Sequence, residues 1–176
     1  MLPHDAIARD NNLFAIAEYP LVTIYDDNLF VRNDYDVLSF GQRKYLINFF
    51  SNNGYTQSSG KKLTNLDKTI HFLGPSSNLA VSSFQPEFLN DNKHHAYCVT
   101  PTMFAEVICN KWANTNETKA LNQLFRLIQT CPYNIEWLRD ISYRSEIENF
   151  TKFYYPRLLT FQQKTINKKF KHKKAL

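Results

Sequence analysis

Ala96-Tyr97-Cys98-Val99-Thr100-Pro101-Thr102-Met103-Phe104-Ala105-Glu106-Val107-Ile108 is the stretch where the chain changes character. Ala96 to Val99 is short and apolar and reads as a strand. Thr100 or Thr102 can cap a helix, and Pro101 suits a first helical turn because its missing N–H has no helical partner there. Phe104, Val107, Ile108 and Trp112 then recur at spacings of three and four, which places them on one helical face. Upstream of this point the chain is mostly strand-like; downstream it is helical.

Before the transition, Leu21 to Tyr25 and Leu29 to Arg32 are β-rich runs with Asp26-Asp27-Asn28 between them, and they predict a hairpin. Thr69 to Leu73 and Leu79 to Phe84, around Gly74-Pro75-Ser76-Ser77-Asn78, predict a second. Tyr55 to Lys62 is polar and reads as an exposed loop. Two helices also belong to this half. His4 to Arg9 can form a short one with Asp5 as its cap. Ser39 can cap a longer one carrying Tyr45, Leu46, Phe49 and Phe50, with Gly54 suited to the left-handed position past its end.

After the transition, Leu121, Leu124, Phe125 and Ile128 mark a helix stopped at Cys131-Pro132. A longer one is expected from Tyr133 or Asn134 to Tyr155, where Pro156 should kink or end it. Arg157 to Phe170 would continue as a separate helix. The expected fold is therefore α+β, with a small antiparallel sheet (two hairpins plus a short strand) packed against a C-terminal layer of three to four helices. Residues 1–160 would form one globular domain and 161–176 a basic helix or tail.

Composition narrows the functional classes. Of 176 residues, 43% are apolar and 26 are aromatic, which is enough to drive burial and excludes a wholly disordered chain. Runs such as Leu13 to Ala17 fall far short of the roughly 20 apolar residues a membrane-spanning helix needs. The N-terminus carries no basic-then-apolar leader, and Cys98, Cys109 and Cys131 form no CxxC pair. Both features predict a cytoplasmic protein whose cysteines are small core residues. With Gly at four positions and no GxxxxGK[ST], GxGxxG or GxSxG, backbone cradles for phosphates or oxyanions are scarce, and no cofactor is expected.

Charge is the strongest functional signal. The net charge is +5, yet no acidic residue follows Glu148. The segment beyond it holds eight positive charges: Lys152, Arg157, Lys164, Lys168, Lys169, Lys171, Lys173 and Lys174. That leaves 13 basic against 16 acidic residues in the body, a net of −3. Arg157 and the six lysines from Lys164 onward are candidates for contact with nucleic acid, DNA or RNA, or another polyanion. Phe153, Tyr154, Tyr155, Phe161 and Phe170 are interleaved with them and could stack on unpaired bases. The expected activity is binding rather than catalysis. Two other readings stand beside it. One is a protein-interaction module (inhibitor, immunity or assembly factor) presenting an aromatic face through Tyr133, Trp137, Tyr143, Tyr154 and Tyr155.

The other is a metal-dependent hydrolase or nuclease centred on Glu106 with His71, His94 and His95. His94-His95 and Cys98 have H-H-x-x-C spacing, although neighbours on an extended chain point in opposite directions. The strand, Thr-Pro turn and helix with an early Glu, from Val99 to Val107, resembles an arrangement found in PIN-type nucleases. The early strand-borne aspartate and later acidic pair of that family are absent.

Overall fold

The computed structural model describes residues 2–27, 37–73, 88–90 and 93–176. The fold is α+β. Its sheet has six strands: β1 (Leu13–Phe14), β2 (Leu21–Ile24), β3 (Thr56–Ser59), β4 (Lys62–Asn65), β5 (Lys68–Phe72) and β6 (His95–Val99), in the order β1-β2-β6-β5-β4-β3. Among the described residues the helices are α1 (His4–Arg9), α2 (Phe40–Asn52), α3 (Pro101–Trp112), α4 (Glu117–Thr130), α5 (Ile135–Ile141) and α6 (Glu148–Thr165), followed by a π turn at Ile166–Phe170.

The sheet is mixed, not a small antiparallel one. β6 runs parallel to both β2 and β5, with Val22 opposite Cys98 and Ile70 opposite Ala96. A crossover connection is required for parallel neighbours, and α2, β3, β4 and β5 lie on the path from β2 to its parallel neighbour β6. Alternation along the central strands then buries both faces. Val22, Ile24, Ile70, Phe72, Ala96 and Cys98 meet Leu46 and Phe50 of α2. Leu21 and Val99 meet Met103, Phe104, Val107 and Ile108 of α3 on the other face. The helices are therefore not confined to one C-terminal layer: α2 covers the sheet face opposite α3.

Local chemistry explains most element boundaries. Ser39 Oγ accepts from the Gln42 backbone N–H while Gln42 Oε1 accepts from the Ser39 N–H, a reciprocal cap on α2. Gly54 follows that helix at φ +87°. Thr100, Asn116 and Asn134 cap α3, α4 and α5 with their side chains, and Pro101 opens α3. Asp5 lies inside the first turn of α1, whose cap position is Pro3.

Three expectations are corrected. Tyr55 to Lys62 is not a loop: β3 and β4 form a hairpin with Gln57 opposite Leu63. β3 exposes every side chain, so no apolar alternation marks it. β2's antiparallel neighbour among the described residues is β1, with Leu13 opposite Ile24; the expected partner run 29–32, like 79–84, lies outside the described residues. The helix expected from residue 134 to 155 is interrupted between α5 and α6. Arg144 takes φ +63° there, and Ser142 Oγ donates to the Arg139 carbonyl at 2.7 Å and lies 2.6 Å from Thr151 Oγ1. Finally, of the two roles expected for Pro156, ending the helix does not hold: α6 runs through it to Thr165, so no separate helix starts at Arg157. The Pro156 ring is exposed, and Phe150, Thr151, Leu158 and Gln162 are buried on either side of it. A mid-helix proline costs about 3 kcal/mol; burying two side chains the size of Phe150 and Leu158 is worth about as much.

The last residues complete the core. Phe170 is buried and stacks on Tyr25 with centroids 5.1 Å apart and planes 9° from parallel. Leu176 packs beside α2, where its carbonyl oxygen lies 2.0 Å from the position a Cβ on Gly41 would occupy. Gly41→Ala therefore sets two effects against each other. Helix propensity gains up to about 1 kcal/mol, while the docked backbone of Leu176 is displaced. We expect the variant to keep its helical circular dichroism but to lose the terminal residues to trypsin at Lys171, Lys173 and Lys174 several times faster than the parent.

Candidate polyanion interface

The basic residues after Glu148 separate into two groups. Lys169 and Lys173 hold the segment down. Lys169 Nζ donates to the Gln129 carbonyl at 2.6 Å, and Lys173 Nζ donates to the Asn11 carbonyl at 3.0 Å. Lys173 also sits 4.1 Å from the Tyr25 ring centroid and 5.1 Å from that of Phe170. Burial holds its ammonium below the ordinary lysine range. Lys164, Lys168, Lys171 and Lys174 are exposed and make no ion pair with a described carboxylate. Lys152 is paired with Glu148 one turn away, and Arg157 lies over the Phe125 ring at 5.3 Å.

The exposed cations are aligned. Phe153, Arg157, Lys164 and Lys168 follow one another at intervals of four, seven and four, which puts them along one flank of α6 and the π turn that continues it. At 1.5 Å per residue that flank is about 22 Å long. Phe153 is 77% exposed. Tyr143, on the neighbouring turn, is 61% exposed and has Arg144 and Lys152 at 5.1 and 5.4 Å from its ring. Both rings are thus largely exposed, Tyr143 beneath two cations and Phe153 edge-to-face with Tyr154 at 4.9 Å. Three other rings of the expected aromatic face are occupied. Tyr133 is buried, the Tyr154 hydroxyl donates to Glu117, and the Tyr155 hydroxyl donates to Glu136.

Arg126 was not distinguished by the sequence, because on α4 it is simply an exposed position of an amphipathic helix. With Lys169 it lines an open cleft of about 680 Å³ against Asp10, Ile16 and Glu18. Glu18 is held from the far wall by Lys119 at 2.9 Å and by Gln123, whose Oε1 accepts from the Tyr19 hydroxyl at 2.6 Å.

The acid–base candidates do not form one centre. His71 Nε2 lies 3.1 Å from His95 Nδ1, whereas His94 Nδ1 pairs with Asp67 at 3.1 Å. Cys98 is buried on the α2 face of the sheet, opposite the face that carries His71 and Tyr97. No group of three or more His, Cys, Asp or Glu among the described residues could hold a metal ion. Glu106 is enclosed in α3, with neither carboxylate oxygen hydrogen-bonded. Burial pushes its pKa up to about 8. The three cysteines are free thiols, each buried and each pushed up by that burial, which makes them poor nucleophiles. Among the described residues no helix is long and apolar enough to cross a membrane.

No family model, curated protein or solved structure matches this chain.

The state of Glu106 has a measurable consequence. Its folded pKa is raised, so the folded chain holds a proton that the unfolded chain releases above about pH 4.5. Stability contributed here is complete below that pH and is lost as pH rises towards 8, by up to ~1.4 kcal/mol per pH unit. Urea denaturation of Glu106→Gln between pH 5 and 8 should show a flatter decline than the parent, with the largest difference at pH 8.

Proposed function

We propose that this chain is a non-catalytic binding protein for nucleic acid, and that unpaired strands are its preferred form. The observation supporting this is the unneutralised flank of Arg157, Lys164 and Lys168 with Phe153 in line, continued by Lys171 and Lys174. Lysines of this kind release counterions from phosphates without reading sequence. The exposed ring of Phe153, and that of Tyr143 once its cations turn to phosphate, add stacking on bases, worth about 1–3 kcal/mol each, which a paired duplex does not offer. The enclosed Glu106 and the divided histidines supply no competing catalytic arrangement of comparable order.

Truncating the tail would be a poor test, because Phe170 and Leu176 pack into the core. Neutralising Lys164, Lys168, Lys171 and Lys174 together to Gln leaves the core intact. Fluorescence anisotropy with a labelled single strand should give a salt dependence shallower by about 3 log units per log unit of salt than the parent. Phe153→Ala should weaken single-strand binding while leaving duplex binding unchanged. An unaltered salt dependence, or no binding by the parent at low salt, overturns the reading.

A further inference from the structure

His71 and His95 are on adjacent parallel strands, two residues out of register: Thr69 lies opposite His95, and His71 opposite Tyr97. Both side chains emerge on the same sheet face. The His71 ring is stacked on Tyr97, with centroids 5.2 Å apart and planes at 22°, which limits its rotation. Its Nε2 faces His95 Nδ1 across 3.1 Å. Two metal–nitrogen bonds of about 2.0–2.1 Å spanning that distance would meet at roughly 100°, between octahedral and tetrahedral angles. Opening the pair by a few tenths of an ångström reaches about 3.3 Å, the tetrahedral value.

We propose that His71 Nε2 and His95 Nδ1 form a two-histidine site for one imidazole-preferring divalent ion, with Zn²⁺ the reference case and water in the remaining positions. The ion takes the place of the shared proton between the rings. In the neutral pair one facing nitrogen carries that proton; on binding, it passes through solvent to the same ring's other nitrogen. Both facing lone pairs then reach the metal and no net proton is released. Imidazole nitrogen suits Zn²⁺, Cu²⁺ and Ni²⁺, and two protein ligands leave the ion open to exogenous groups. Lys62, opposite His71 on β4, is the like charge that opposes occupancy.

Isothermal titration of the full chain with Zn²⁺ in a non-coordinating buffer tests the site. One saturable equivalent is expected, weakened at least tenfold by His71→Ala and by His95→Ala. His94→Ala should leave affinity unchanged, since His94 is engaged with Asp67. Lys62→Gln should tighten binding two- to threefold. His95 is exposed, so its variant should fold even if the half-buried His71 variant does not. Absence of saturable binding at millimolar Zn²⁺, or affinity that survives His95→Ala, would refute the proposal.

Discussion

The corner at Thr100 governs the architecture. Every residue from Pro101 to Cys109 is buried, so α3 must be enclosed on all sides. The sheet covers one side through Leu21 and Val99, and α4 and α5 cover others through Leu124, Leu127, Ile128 and Leu138. Side-chain hydroxyls fix the corner at both ends. Thr100 Oγ1 accepts from the Met103 N–H, and Thr102 Oγ1 accepts from the Asn134 N–H at 3.0 Å, which anchors the start of α5. At roughly 1.5–3 kcal/mol per large buried side chain, this helix outweighs any surface interaction in the molecule. It can therefore tolerate Glu106 in its midst.

Lys152 of α6 is paired with Glu148, whereas Lys164, Lys168, Lys171 and Lys174 form no ion pair with a described carboxylate. The segment is retained instead by carbonyl oxygens and ring faces, neither of which cancels a formal charge. Ordering and charge are thereby separated: Lys169 and Lys173 provide the first, while Lys164, Lys168, Lys171 and Lys174 keep the second. A rigid array of cations loses less conformational freedom on meeting a polyanion than a disordered tail would.

Legibility in the sequence followed the strength of local chemistry. The caps at Ser39, Thr100 and the glycine at 54 were readable because each residue type performs one backbone task. The α+β class was readable from the order of periodicities. β3 was not, because Thr56-Gln57-Ser58-Ser59 is held by backbone pairing alone. Parallel pairing was equally hidden, since strand direction depends on connections and leaves no trace in a short apolar run. At the interface, the lysine-bearing segment was evident from charge counting. Its division into anchoring and exposed members was not, because that depends on Gln129 in another helix and on Tyr25 and Asn11 more than a hundred positions away. The rule that adjacent side chains on a strand diverge did anticipate the separation of His94 from His95.

The stacking of Phe170 on Tyr25 also bears on how the chain acquires its shape. Contacts between residues as far apart in sequence as 25 and 170 are entropically slow to close and are characteristic of high contact order. During synthesis, the groove around Tyr25 and Asn11 stays without its covering until residues 170 to 176 have left the ribosome. Until then the Tyr25 ring lacks the aromatic partner that covers it in the finished fold.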